Sequence, residues 1–411
     1  MTIENFTHDP SEYIRGMQSL LINDKKKLAF FFGAGTSLAK KNTQSKTVPA
    51  IKAMTTKIVS EITEAKEKSA IEDIANEIGA ESFNIETLLS NIEQKYCVIG
   101  NGTLNGLNKA ELKNLIDRIK EKIRLIVSVH HDVDPINQIQ TDFTEWINRA
   151  ERKHPIEIFT TNYDYLFEIG LEQNNLPYYD GFTGSFEPFF NAESVSDFDF
   201  LPKQIKLWKI HGSLGWKFDV GRKKVIRKSS DSSDILIYPS ILKYANSKKQ
   251  PYEALMDRMS NFLKQDDAVM ITCGYSFKDE HINERLITAL QSSSTSIMIA
   301  LFFDDEFNEA HELAKIAKAN SKITIFSNKS AVIGCKWGTW KIKTEPSKDD
   351  ILPLNLYFDE DAPIINSEIN EVKKGGEIWT GNGKLKVTDF SKMVVFLSNM
   401  IVSNNSGEIK R

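Results

Sequence analysis

Cysteine is scarce in this sequence. The chain of 411 residues has three, Cys97, Cys273 and Cys335, and they stand far apart. Without a CxxC pair the chain cannot build a four-thiolate zinc site, and an odd, sparse set of thiols does not suit a disulfide scaffold. We therefore expect no zinc, and we predict no other metal site. The sparse thiols suit a reducing compartment, the cytoplasm.

Long apolar runs and an excess of either charge are also missing. The longest strongly apolar runs, such as Ile297–Phe303, are far shorter than the roughly 20 residues of a membrane helix. The N-terminal stretch Met1–Asp9 lacks the basic and apolar regions of a secretory signal. Lys and Arg total 52 against 56 Asp and Glu, a net charge of -4. We expect neither membrane association nor direct nucleic-acid binding.

The apolar pattern indicates an α/β fold. With 41% hydrophobic and 26% charged residues, the chain has ample material for a globular core. Short apolar runs alternate with helical tracts in its second half, which is typical of a parallel sheet covered on both faces. The predicted strands are Leu28–Phe32, Ile156–Thr160, Ile205–Ile210, Ile235–Tyr238, Ala268–Thr272, Ile297–Phe303 and Ile323–Phe326.

Two regions interrupt this pattern. Over about 50–150, apolar residues recur every three or four positions, which predicts a helical insertion between the first two strands. From Ala331 onward the chain breaks into short strand-like pieces. We predict a main domain over 1–330 and a small C-terminal module over 331–411. The module can form an oligomer or partner interface, or simply cap the sheet.

Four segments at predicted strand ends can carry chemistry, because ligands of open α/β sheets bind at the carboxyl ends of the strands. The first is a glycine-rich loop that can present backbone N–H groups to a phosphate. It is not the full G-x-G-x-x-G fingerprint, because Leu38 occupies the third glycine position. A plain strand-to-helix turn explains it equally well. Its residues are Gly33, Ala34, Gly35, Thr36 and Ser37.

The second and third segments supply an amide, a carboxylate and an imidazole. Asn162 and Asp164 follow the strand Ile156–Thr160, although both residue types are also common helix caps. His211 comes directly after the strand Ile205–Ile210 and is followed by a glycine. Imidazole is the side chain that titrates nearest neutrality, and a buried core histidine is the alternative.

The fourth segment follows Ala268–Thr272 and contains Gly274, Tyr275 and Ser276. It can form another ligand-binding turn or a plain one, with Asp279 as a helix-start residue. Cys273 reads as a small core residue rather than a nucleophile.

In this order, GAGTS, TTNYD, IHG and GYS resemble the elements that surround NAD in the sirtuin fold family. The resemblance covers about residues 20–330. The longer strings IFTTNYD, KLWKIHGSL, LIYPS and GYSFKDEHIN are similar to the sirtuin-like subunits of bacterial anti-phage defence systems. They are most similar to the type that pairs an NAD hydrolase with a HerA-like hexameric ATPase.

The resemblance implies a Rossmann-like parallel sheet of the sirtuin type and NAD as the substrate. It implies hydrolysis of the bond between nicotinamide and ribose, and a homo-oligomer that partners a HerA-like ATPase and defends by depleting NAD (abortive infection). Asn162 would orient the ribose or the attacking water, and His211 would act as the base. Asp164 would accept the carboxamide N–H, the glycine-rich loop would hold the pyrophosphate, and Gly274, Tyr275 and Ser276 would line the adenosine side.

Two departures bear on the reaction. Sirtuin deacylases generally carry two CxxC pairs, which are missing here, and their Ile-Pro then Phe-Arg pattern is replaced by Val48-Pro49 followed by Ala50-Ile51-Lys52. These departures count against acyl-lysine chemistry more than against NAD binding. A protein deacylase or ADP-ribosyltransferase, and a non-catalytic NAD or ADP-ribose sensor, stay as alternatives.

Overall fold

The computed structural model describes residues 6–219, 221–228, 250–344, 352–360 and 380–405. The predicted strand at Ile235–Tyr238, and with it the LIYPS string, lies outside these residues.

Helices and strands alternate through most of the described chain. The helices are α1 (Pro10–Ile22), α2 (Gly35–Leu38), α3 (Ile51–Ser60), α4 (Ala65–Ile78), α5 (Ile85–Val98), α6 (Lys109–Val127), α7 (Ile139–Arg149), α8 (Leu166–Gln173), α9 (Ala192–Ser196), α10 (Tyr252–Lys264), α11 (Glu280–Ser292), α12 (Glu312–Ala319) and α13 (Phe390–Asn405). The strands are β1 (Thr7–His8), β2 (Lys27–Phe32), β3 (Glu157–Thr160), β4 (Tyr178–Tyr179), β5 (Phe182–Thr183), β6 (Phe189–Phe190), β7 (Ile205–Lys209), β8 (Trp216–Asp219), β9 (Lys224–Arg227), β10 (Ala268–Cys273), β11 (Ile297–Phe302), β12 (Ile323–Ser327), β13 (Ser330–Ile333), β14 (Lys336–Trp340), β15 (Phe358–Asp359) and β16 (Lys384–Leu385).

A ten-stranded sheet organises the fold, in the order β1-β14-β13-β12-β11-β10-β2-β3-β7-β4. Every neighbouring pair is parallel except β12 with β13 and β13 with β14. The central strands are apolar almost throughout, as expected for strands that are covered on both faces. The predicted α/β fold with a parallel sheet is therefore confirmed.

Each face of the sheet has its own core. One face packs Phe30 and Phe32 against Phe143 of α7 and against α1, α8 and α13. The other face packs Phe31 and Phe159 against α10, α11 and α12. Alternate residues of β2 point to opposite faces, because side chains alternate along a strand. The strand residues Leu28–Phe32 thereby contribute side chains to both cores.

The predicted helical insertion is present as helices with a separate core. Residues of α3, α4, α5 and α6 form this third cluster, which Val48 and Leu214 also join. The last helix of the predicted range, α7, packs on the main sheet instead. Its stripe of Ile139, Phe143, Trp146 and Ile147 faces β2 and α8.

The predicted boundary at residue 330 separates elements that share one sheet. The hairpin β13–β14 pairs with β12 on one side and with β1 on the other. Helix α13 adds Phe390 and Leu397 to the core that contains Phe32. The division into a main domain and a C-terminal module stays a prediction. No helix in the described part of the chain has the length and apolarity needed to cross a membrane.

Candidate functional site

The four segments singled out in the sequence meet at one edge of the sheet. In the parallel register, Phe32 pairs with Thr160 on one side and with Cys273 on the other, and Thr160 pairs with Lys209. Strands β10, β2, β3 and β7 therefore end side by side. The loops that leave them emerge next to one another, at the edge where open α/β sheets bind their ligands.

A cavity of about 690 Å³ lies at this edge. Its volume falls within the range of about 300–1,000 Å³ that is typical of small-molecule sites. The predicted site residues that line it are Ala34, Gly35, Ser37, Asn162, Asp164, His211, Gly274, Tyr275 and Ser276. The tertiary structure thus brings nine of the predicted residues together, although their roles stay predictions.

Two predicted residues of the glycine-rich loop, Gly33 and Thr36, are buried and are not among the residues that line the cavity. They hold other site residues in place. The Thr36 hydroxyl donates to the Gly33 carbonyl oxygen at 2.9 Å, and Gln140 of α7 donates to the Thr36 carbonyl oxygen at 2.7 Å. Their contribution to ligand binding would be indirect.

The glycines are required because two loops cross with their backbones in contact. A Cβ on Gly33 would lie 2.5 Å from the carbonyl oxygen of Gly274, and a Cβ on Gly35 would lie 2.7 Å from the Cα of Gly274. Gly274 itself has a φ of +65°, which L side chains rarely adopt. The N–H groups of Gly35, Thr36 and Ser37 donate to carbonyl oxygens of these loops. A pyrophosphate at the loop must compete with those bonds.

The Asn162 side chain joins β3 to the glycine-rich loop. Its Nδ2 lies 3.1 Å from the Gly33 carbonyl oxygen, 3.0 Å from Thr36 Oγ1 and 2.8 Å from Ser37 Oγ. With three acceptors around the nitrogen, the orientation of the amide is defined, and its oxygen is the end that can accept from a ligand. A donor on a ribose hydroxyl or a water molecule fits this oxygen.

Asp164 is buried and accepts two hydrogen bonds from the protein. Its Oδ2 accepts from the Ser37 hydroxyl at 2.6 Å, and its Oδ1 accepts from the Leu166 N–H at 3.0 Å. Each carboxylate oxygen can accept more than one hydrogen bond, so a carboxamide N–H can still bind here. The buried Lys209 ammonium donates to the Asp164 carbonyl oxygen and to Glu168, which fixes the backbone of this turn.

We predict that Ser37→Ala lowers the free energy of unfolding by about 1–3 kcal/mol, because a buried acceptor on Asp164 loses its donor. The matched control is Ser260→Ala. Ser260 is similarly buried, but its hydroxyl donates only within helix α10, to the Met256 carbonyl oxygen at 3.0 Å. Removing such a bond in a helix costs little. Urea denaturation of the two variants measures the difference, and equal losses would contradict the prediction.

His211 lies just beyond β7, in the turn that Gly212 completes with a φ of +100°. The Ile210 N–H still bonds to the Thr160 carbonyl oxygen at 2.8 Å, which keeps His211 level with the loop after β3. Its Nε2 lies 3.3 Å from Oδ2 of Asp279, at the start of α11. The imidazole side chain is 15% exposed, so that it is screened from bulk water but reachable from the cavity.

The helical insertion supplies a wall that sequence reasoning missed. Asn84, Ile85, Glu86 and Thr87, at the start of α5, line the cavity. The Tyr163 hydroxyl donates to Glu86 Oε1 at 3.3 Å, which connects the insertion to the TTNYD motif. Burial raises the pKa of Tyr163 well above its ordinary value, and the Glu86 carboxylate raises it further. Tyr163 therefore stays a neutral donor near pH 7. Periodicity placed α5 correctly but carried no information about which end reaches the site.

Asp279 was predicted only as a helix-start residue, and this part of the prediction is confirmed, since its Oδ1 accepts from the Ile282 N–H at 3.3 Å. Its place beside His211 was missed.

Burial raises the pKa of Cys273, so its thiol is not a nucleophile near neutral pH. Among the described residues, no group of three or more His, Cys, Asp or Glu side chains is arranged to hold a metal ion.

Together these features define an α/β protein with a ligand cavity at the carboxyl ends of parallel strands. Residues 156–325 match a family model described as a SIR2-like domain. The match covers less than half of the chain, from the start of β3 into β12, and includes Asn162, Asp164, His211 and the loop 274–276. It supports a sirtuin-like family with a Rossmann-like sheet, and it indicates an enzyme of NAD-related chemistry in a broad sense.

No curated protein matches the sequence. Among solved structures, the chain is similar to the crystal structure of cytosolic 5'-nucleotidase IIIB bound to cytidine, with 14% identity and a TM-score of 0.29. That alignment covers 79% of this chain and 88% of the nucleotidase chain.

Proposed function

We propose that this chain is an NAD⁺ hydrolase that cleaves the N-glycosidic bond between nicotinamide and ribose. The observation that carries the proposal is the convergence of Asn162 and His211 on one cavity, from the ends of neighbouring strands. A purely binding protein needs neither an orienting amide nor an imidazole at this point.

The reaction needs little acid catalysis. The nicotinamide of NAD⁺ is a pyridinium, and when the C1′–N bond breaks, the electron pair neutralises its ring nitrogen. Water adds to C1′ and loses a proton, so that NAD⁺ and water give nicotinamide, ADP-ribose and one proton. The transition state resembles an oxocarbenium ion, as in other glycosidic cleavages. Asn162 orients the ribose or the water, and His211 accepts the proton.

The charges of the cavity fit this transition state. Glu86, Asp164, Asp279 and Glu280 contribute four carboxylates to the lining. Carboxylates close to the ribose favour a developing positive charge in a partly buried site. Asp164 would also accept the carboxamide N–H of nicotinamide, through an oxygen that already receives one bond.

The other end of the cavity suits the rest of the dinucleotide. The glycine-rich loop, with Ala34 and Gly35 on its surface, would face the pyrophosphate, and Lys278 supplies a positive charge in the same cavity. Gly274 to Ser276 would line the adenosine side. The Tyr275 ring packs edge-on against Phe31 and its hydroxyl donates to Asn283 at 3.0 Å, which gives that side a rigid wall.

The similarity of IFTTNYD, KLWKIHGSL and GYSFKDEHIN to defence subunits supports a wider proposal. The chain would act in anti-phage defence by depleting NAD, as a homo-oligomer with a HerA-like hexameric ATPase. An unrestrained hydrolase would exhaust its own cell, so we expect the partner, assembly or infection to control activity. Full activity of the isolated chain without toxicity on expression would contradict this control.

The decisive experiment incubates the purified chain with NAD⁺ and no acceptor, with and without the ATPase, and separates the products by liquid chromatography. We expect equal amounts of nicotinamide and ADP-ribose. A deacylase or transferase would release almost no nicotinamide until an acylated peptide or a protein acceptor is added. Binding of NAD⁺ without release of nicotinamide would identify a sensor and overturn the proposal.

A further inference from the structure

We propose that Glu86, which the helical insertion supplies, is a further catalytic residue whose carboxylate stabilises the positive charge that develops on the nicotinamide ribose during cleavage. This inference rests on the proposed function, because it assigns a part in the same hydrolysis. Glu86 lies in the first turn of α5 and lines the cavity together with Asn162 and His211. It lies outside the four motifs at the strand ends, because it belongs to the insertion.

The start of α5 holds the backbone of Glu86 in a defined place. The Asn84 side chain accepts from the Glu86 N–H at 2.9 Å and from the Thr87 N–H at 3.1 Å. The Thr87 hydroxyl accepts in return from the Asn84 N–H at 2.9 Å, which completes a capping box. The Ile85 N–H donates to the Thr55 hydroxyl of α3 at 2.8 Å, so this end of the helix is also joined to its neighbour. A fixed backbone is what a preorganised charge requires.

The insertion packs on two of the motifs at the strand ends. Leu214, which follows IHG and Ser213, belongs to the core of the insertion, and its N–H donates to the Tyr163 carbonyl oxygen at 3.2 Å. The Tyr163 hydroxyl donates to Glu86 Oε1 at 3.3 Å. The centroid of the Tyr163 ring lies 6.5 Å from that of the His211 imidazole. Tyr163 thus connects Glu86 with the part of the cavity that contains His211, and we therefore place Glu86 at the nicotinamide ribose rather than at the pyrophosphate.

Among the four carboxylates of the lining, Glu86 is the one best suited to face a cation. Asp164 already accepts two hydrogen bonds from the protein, and Asp279 caps α11. Glu280 is exposed, so water screens its charge. Glu86 is half-buried, and its described partner, the Tyr163 hydroxyl, is neutral. That contact orients the carboxylate without neutralising its negative charge.

The charge of the substrate moves during the reaction. In NAD⁺ the positive charge lies on the nicotinamide ring, and as the C1′–N bond breaks it passes to C1′ and the ring oxygen of the ribose. A carboxylate beside the ribose stabilises this charge, more strongly in a partly buried site than in water. The same carboxylate can accept from a ribose hydroxyl, since its two oxygens offer about four lone pairs. Glu86 forms no covalent bond with the ribose, so the products stay nicotinamide and ADP-ribose.

Glu86→Gln tests the charge, because glutamine keeps the size of the side chain and an oxygen that accepts from the Tyr163 hydroxyl. We expect kcat/KM for NAD cleavage, measured as release of nicotinamide, to fall about 10- to 100-fold. Tyr163→Phe, which removes only the hydroxyl, should cause a smaller loss. The matched control is Glu93→Gln, further along α5, where Glu93 pairs with Lys120 at 2.7 Å and is not among the cavity residues. We expect it to keep kcat/KM.

A second measurement is independent of turnover. The probe is an ADP-ribose analogue in which a protonated pyrrolidine replaces the terminal ribose, so that it carries the charge of the transition state. ADP-ribose, which is uncharged at that position, is the comparison. By isothermal titration calorimetry, we expect Glu86→Gln to bind the cationic analogue about 10- to 100-fold more weakly than the original chain does. Its affinity for ADP-ribose should stay within about threefold.

Equal weakening of both ligands, or no weakening of the cationic analogue, would overturn the proposal. An equal loss of kcat/KM in Tyr163→Phe and Glu86→Gln would also overturn it, because Glu86 would then act only through the tyrosine. If the original chain releases no nicotinamide, with or without the ATPase, the proposed function fails. The affinities for the two ligands then decide the part of Glu86 by themselves.

Discussion

Replacing His211 by alanine should lower the rate of NAD cleavage at least about a hundredfold, the low end of what a positioned acid or base contributes. The side chain lies at the cavity wall rather than in a packed core, so its truncation leaves the cores of the sheet intact. Nicotinamide release under saturating NAD measures the effect. His154→Ala is the matched control, since His154 is partly exposed and is not among the cavity residues.

Asn162→Ala should cause a loss of similar size for a different reason. It removes the amide oxygen that we propose to orient the ribose or the water. It also removes the Nδ2 bonds to the glycine-rich loop, so part of the effect is structural. Thermal unfolding with and without NAD separates the two contributions. Turnover at the original rate by either folded variant would contradict the assignment of the site.

The largest effect on stability is expected from Arg258→Met, at about 3–5 kcal/mol of unfolding free energy. Arg258 on α10 makes two bonds to the Glu157 carboxylate of β3, at 3.0 and 2.7 Å, and both side chains are almost fully buried. The Trp208 indole N–H of β7 donates to the same carboxylate at 2.6 Å. Removing the guanidinium leaves a buried charge with one remaining partner, which is why the cost is high.

Arg285→Met is the control, because Arg285 pairs with Asp257 at the surface and such pairs contribute about 0–1 kcal/mol. Urea denaturation of both variants gives the comparison. Adding Glu157→Gln to Arg258→Met should recover part of the loss, since the unpaired charge disappears. A loss below about 1 kcal/mol for Arg258→Met alone would show that water reaches the carboxylate, contrary to its burial.

The pair of Arg258 and Glu157 also shows what a sequence conceals. Glu157 occupies a strand that is otherwise apolar, and Arg258 lies in a helix about a hundred residues later. Nothing in either segment identifies the other as its partner. Their contact depends on α10 crossing the face of the sheet above β3 and β7, which a linear pattern cannot convey.

The strand predictions that fall within the described residues were accurate, because burial on both faces makes these segments continuously apolar. The runs at Leu28–Phe32 and Ala268–Thr272 match β2 and β10 to within one residue at each end. Helix α7 was predicted as helix but grouped with the insertion. Its apolar stripe resembles those of α3 to α6, and periodicity does not say which partner a stripe packs against.

By itself the sequence determined the local chemistry: strands by their apolar runs, turns by their glycines, and the amide, carboxylate and imidazole that end β3 and β7. Only the tertiary structure decided that the start of α5 lines the cavity and that Asp279 faces His211. Such contacts join residues far apart in the chain, through packing of an insertion and through strand order. The packing of the insertion and the order of the strands produce no periodic pattern in the sequence, because distance along the chain does not determine distance in space.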